Sequence, residues 1–186
     1  MKISSFLGWS KKKKVKANIA AAIYVSLLNN VIQEGFVEVK DFINNNNNLE
    51  DNPNLTDIDI DWFRNIIYLG NLENLSAFFE EQDAAVLRGL ILDEIHKELP
   101  ENEHHLAIER FLDHENYFKE LLLQNEYAIS AMAYGIFEQY NINEYQGDLF
   151  KRKNKPNPIF YNELKNLVKH FMWNWEDYLE KNKLNF

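Results

Sequence analysis

The residues of this chain whose types and spacing could do chemistry are histidines and carboxylates. His96, His104, His105 and His114 fall between positions 96 and 114, and only His170 is remote. If that stretch is helical, His105, Glu109 and Asp113 stand at i, i+4 and i+8 and share one face. Glu101 and His104 also have the Glu-x-x-His spacing of helical di-metal carboxylate sites. Neutral imidazole and carboxylate together suit iron, manganese or zinc. Such a centre needs a second motif and two further carboxylates from facing helices, whereas the chain offers one copy, directly after Pro100. The preferred reading is a solvated acidic helix start with surface histidines and no cofactor. Metal binding by His104, His105, Glu109 and Asp113 is the alternative, in which the 96–114 region makes the protein a metal-binding or metalloenzyme bundle.

Other reactive patterns fail at defined positions. Asp57, Asp59 and Asp61 match the opening of a calcium loop, but that loop requires Gly at its sixth position and Glu at its twelfth, where this chain has Trp62 and Tyr68. Helix capping explains those three acids. Neither a glycine-rich phosphate loop nor a Gly-x-Ser-x-Gly elbow is present. Pairs such as Glu80-Glu81 and Asp93-Glu94 are expected by chance among 29 acids. The chain has no cysteine, which excludes disulfides, thiolate metal sites and cysteine nucleophiles. A non-catalytic protein is therefore favoured over an enzyme.

Charge is sorted along the chain. Residues 1–16 carry six lysines and no acid, and residues 34–148 carry 25 Asp and Glu against six Lys and Arg, a balance of −19. Residues 151–186 return to eight bases against four acids. The run Lys11-Lys12-Lys13-Lys14 follows Ile3, Phe6, Leu7 and Trp9, and an apolar patch beside a polybasic patch can hold a peptide on an anionic membrane. A peripheral membrane protein anchored by residues 1–16 is the third reading, ranked below a simple basic arm. Nucleic acid is not expected as a partner, because the acidic centre repels a polyanion until salt screens it, over ~8 Å at physiological strength. The candidate partner-binding residues are Lys11, Lys12, Lys13, Lys14 and Trp173, the last because Trp is enriched at interface hot spots. No run of about 18 apolar residues exists, so no transmembrane segment is expected. The N-terminus lacks the order of a signal peptide, and a cytoplasmic location is the default.

These residues must be positioned by helices. Apolar spacing near 3.6 recurs in every long segment, which predicts an all-α fold: a single compact domain of six or seven mostly antiparallel helices, as a bundle or as stacked helical hairpins. Residues 1–14 are expected to form a basic arm on a helical domain spanning 15–186, with polar loops near 44–56 and 141–158. The first helix is expected over Val15–Gln33, with Ile19, Ile23, Leu27 and Val31 beside Ala20, Tyr24, Leu28 and Ile32 as a broad apolar face. Gly35 is expected to stop it, before a short amphipathic piece through Ile43. A strand pair is conceivable only around Glu34–Val39. Gly70-Asn71 is expected to end or bend a helix that starts near Thr56, and a last long helix is expected over Pro158–Lys181. Phe111, Leu112, Leu164, Phe171 and Trp175 are expected in the core.

The composition reads as that of a bacterial helical protein and names no function. The preferred expectation is a non-enzymatic, soluble protein-interaction module with an acidic centre, whose partner is another protein.

Overall fold

A computed structural model describes residues 12–97, 104–125 and 127–186, with the backbone alone for 104–108. The fold is all-α, with eight α-helices among the described residues: α1 (Ala17–Asn44), α2 (Ile60–Glu73), α3 (Glu81–Lys97), α4 (His104–Gln124), α5 (Ala128–Gln139), α6 (Asp148–Lys151), α7 (Pro158–Lys169) and α8 (Trp175–Lys181). Two short strands flank them, β1 (Lys13–Lys16) and β2 (Asn182–Asn185), paired in parallel with Lys13 opposite Asn182 and Lys16 opposite Asn185.

The expected break at Gly35 is absent, and Glu34–Val39, where alone a strand pair was conceivable, is helix: α1 runs unbroken for 28 residues. A glycine tolerated mid-helix needs a packing reason. A Cβ at position 35 would stand 2.7 Å from the Phe171 ring, so the missing side chain makes the notch that the ring fills. Gly70 likewise does not end α2, which runs on to Glu73, and Met132 Sδ occupies the space a Cβ would take. The start of α2 follows expectation. Thr56 donates from its backbone N–H to the Asp59 carboxylate at 2.7 Å and from its hydroxyl at 3.1 Å, ahead of Asp61 in the first turn.

The core lies between α1, α2, α5 and α7, from Ile32 and Phe36 through Phe63 and Ile67 to Met132, Phe137, Phe160 and Leu164. Phe111, Leu164, Phe171 and Trp175 are buried as expected, whereas Leu112 is 51% exposed. On α4 the inward positions are Phe111, Phe118 and Leu121, and Leu112 falls one residue round from that line. Arg88 of α3 and Lys119 of α4 both pair with Glu115, at 2.7 and 2.6 Å, which links the two helices. No described helix is long and apolar enough to cross a membrane.

The expected last helix is divided. α7 ends at Lys169, residues 170–174 turn, and Asn174 accepts the Asp177 N–H at 3.0 Å to start α8. Asn71, buried in α2, holds that turn. Its Nδ2 donates to Phe171 O at 3.0 Å and to Ile67 O at 2.9 Å, and its Oδ1 accepts the Trp173 N–H at 2.7 Å. A second buried amide, Gln146, gathers the polar loops. It donates to Asn143 Oδ1 and Lys155 O, accepts the Asn157 N–H at 2.7 Å, and pairs by its backbone with Leu49.

Candidate functional site

The described part of the histidine-rich region brings no metal centre together. Among the described residues no three His, Asp or Glu side chains stand close enough to hold a metal ion. The His104 and His105 side chains lie outside the described set, and Glu109 and Asp113 are exposed on α4. His114 has another role. It sits edge-on to Trp62 at 4.8 Å between ring centroids, with Tyr117 on the same indole at 5.6 Å. Burial lowers the His114 pKa below its ordinary value, and nearby Arg110 acts the same way against the opposing pull of Asp113. The neutral ring is therefore the packed form. Tyr117 donates to Glu138 at 2.6 Å, which with burial keeps its phenol protonated.

The surface that remains unaccounted for is on α1. Residues 17–33 contain no Asp, Glu, Lys or Arg. The buried line runs through Ala17, Ala21, Leu28, Ile32, Phe36 and Val39. Beside it Ile19 (49% exposed), Ile23 (38%), Leu27 (47%) and Val31 (45%) form a ridge at i, i+4, i+8 and i+12 that no described element covers. Scattered exposed apolar residues are ordinary, but four in one ridge over three turns make a contiguous patch. Past Val31 the same side of α1 becomes acidic, with exposed Glu34, Glu38 and Asp41.

Val31 also belongs to a groove of about 350 Å³ between α1 and the 170–182 segment. Its walls are Leu28, Phe171, Met172, Trp173 and Tyr178, and its rim carries His170, Asp177, Lys181 and Asn182. The Asn71 clamp fixes this wall, since both residues it holds, Phe171 and Trp173, line the groove. Behind the wall Tyr24 stacks on Trp175 at 5.6 Å and meets Trp173 edge-on at 5.3 Å. Burial, then neighbouring Tyr68, raises the Tyr24 pKa well above its ordinary value. Its hydroxyl therefore remains a donor. The Tyr24 hydroxyl and the Trp173 and Trp175 indole N–H groups are hidden from solvent and find no acceptor among the described residues. The groove is an apolar, ring-lined concavity with a polar rim.

No protein-family model, no curated protein and no solved structure matches the chain. The site must be read from its own residues.

Trp173, a candidate for a partner surface, is half-buried and lines the groove. Lys12 donates to Leu179 O at 2.6 Å, and Lys13 and Lys14 form the exposed start of β1 against β2. Lys11 lies outside the described residues. By spacing alone the α1 ridge and the buried line form one broad apolar face. The signal that separates them is width: apolar positions from Ile19 round to Val25 span more of the helix than one buried stripe requires, and no charge interrupts them.

Proposed function

We propose that the protein is a non-enzymatic interaction module that docks an amphipathic helix of another protein along the exposed face of α1. The uncharged ridge Ile19, Ile23, Leu27 and Val31, continuous with an aromatic groove, carries this reading. Helix-in-groove recognition uses apolar anchors at i, i+4 and i+7 spacing, and interface cores are depleted of charge. Glu34, Glu38 and Asp41 beyond the ridge favour a partner helix with lysine or arginine at the end that lies over them. Residues 12–14, at the base of the same helix, are then neighbours of the docking face and not its centre.

Photo-cross-linking in the native cell tests the proposal. Ile23→p-benzoylphenylalanine should give one discrete adduct, attached on the partner side to an amphipathic helical segment with basic residues at one end. Leu149→p-benzoylphenylalanine, at a more exposed apolar position on α6, should give none. Equal adduct yields from the two positions, or no adduct from position 23, would refute it.

A further inference from the structure

We infer that the helix seated on this face, when no other protein occupies it, is α1 of a second copy of the chain, laid antiparallel about a twofold axis level with Val25. The inference rests on reading the α1 face as a docking surface, and it names the helix that competes for that surface.

The ground is that the face is complementary to itself. Its apolar ridge is symmetric about Val25: Ile23 and Leu27 stand two residues to either side, Ile19 and Val31 six. Its charge instead changes sign across the same point. Lys16, the N-cap of α1, stands nine residues before Val25 and Glu34 nine residues after it, and both are exposed. Beyond Lys16 the chain stays basic. Lys13 and Lys14 of β1 are exposed, and the parallel pairing sets exposed Lys183 of β2 opposite Lys14. Beyond Glu34 it stays acidic, with exposed Glu38 and Asp41, and the single base in α1, Lys40, is paired with Asp57 at 2.5 Å. The ion pairs among the described residues leave out Lys16, Glu34 and Glu38.

Orientation follows from those charges. A parallel copy would set lysine over lysine and carboxylate over carboxylate, which costs affinity. An antiparallel copy brings Ile23 over Leu27, Ile19 over Val31 and Lys16 over Glu34, and a twofold axis makes each contact twice. At ~1.5 Å per residue the apolar ridge runs roughly 18 Å, and the two Lys16–Glu34 contacts stand about 27 Å apart at its ends. An uncharged centre with a charged rim is the usual layout of a protein interface. Val31 also lines the groove, so Ile19 of the second copy arrives at the groove's mouth. A foreign helix with a basic end needs the same ridge and the same carboxylates. Partner binding and self-association are therefore mutually exclusive at this face.

Sedimentation of the full chain over a range of concentrations tests the inference, with charge reversals that leave the ridge untouched. The parent should sediment as a reversible dimer. Lys16→Glu and Glu34→Lys should each raise the dissociation constant about tenfold, because each places like charges at both ends of its own dimer. An equimolar mixture of the two variants should regain the parent's affinity, since one copy of each restores both opposite-charge contacts. Ile23→Gln/Leu27→Gln should sediment as a monomer. A parent that stays monomeric at every concentration overturns the inference. A dimer indifferent to the reversals, or single variants that weaken it without recovery in the mixture, overturns it too. The cross-link from position 23 keeps the two readings apart. An adduct with a different protein from a chain that never dimerises removes the second copy and leaves the docking face. An adduct only of the chain with itself keeps the second copy and removes the foreign helix.

Discussion

Asn71 and Gln146 are the two polar side chains buried among the described residues, and they do the same work at two places with different results. Each is an amide that accepts one backbone N–H and donates to two oxygens. Asn71 sits on a helix inside an aromatic core, and what it fixes is a turn whose side chains form the groove wall. Gln146 sits between polar loops, and what it fixes is a seam of Asn, Lys and Glu residues. One clamp shapes an apolar surface and the other closes a polar one. The difference comes from the surroundings and not from the clamp.

Removing the clamps should expose that difference. Asn71→Leu has nearly the same volume but leaves the Phe171 carbonyl and the Trp173 N–H unpaired in the core. At about 1–3 kcal/mol for each stranded group, a loss of roughly 2–6 kcal/mol is expected in denaturant unfolding. The same variant should loosen the groove wall, seen as faster amide exchange at residues 171–173. Gln146→Leu strands the Asn157 N–H and the Lys155 carbonyl close to exposed loops, where water can replace the amide. Its cost should be about 1 kcal/mol, with no change at the groove. Equal losses from the two substitutions would remove the distinction.

His114 sharpens the comparison through pH. Its folded pKa lies below the unfolded value, so the folded state binds its proton less readily. Neutral packing against Trp62 therefore contributes fully above the unfolded pKa of roughly 6.5 and is lost as pH falls below it toward the folded pKa. His114→Gln should flatten the fall in melting temperature on that acid side of pH 6.5. An unchanged pH profile would show that the ring carries no such linkage.

Sequence periodicity made the fold class, the Asp59–Asp61 helix start and most of the core legible, because burial of an apolar stripe is a local property of a helix. Three features depend on partners far away in sequence and were not legible. Gly35 reads as a stop, until Phe171 is found in its notch. The Pro158–Lys181 stretch reads as one helix, since nothing local reveals that Asn71 captures the backbone of residues 171 and 173. β1 and β2 read as lysine- and asparagine-rich ends with no strand signature, and their parallel pairing joins opposite ends of the chain. The site suffered most. An exposed ridge has the same residue types as a buried one, so Ile19 and Ile23 look like Leu28 and Ile32 until the fold shows which side is covered. Leu112 misled in the same way beside Phe111.

The smallest expected effect is the most direct test. If the α1 face serves a partner and not the fold, its apolar side chains are dispensable for folding. Urea unfolding should be compared for Ile19→Gln/Ile23→Gln/Leu27→Gln and for Ile32→Ala, one buried residue on the same helix. The triple variant should lose no more than about 1 kcal/mol, as exposed substitutions typically do, whereas Ile32→Ala should lose about 2–5 kcal/mol. A triple variant as destabilised as Ile32→Ala would show that the ridge belongs to the folded core, and the docking face would not exist.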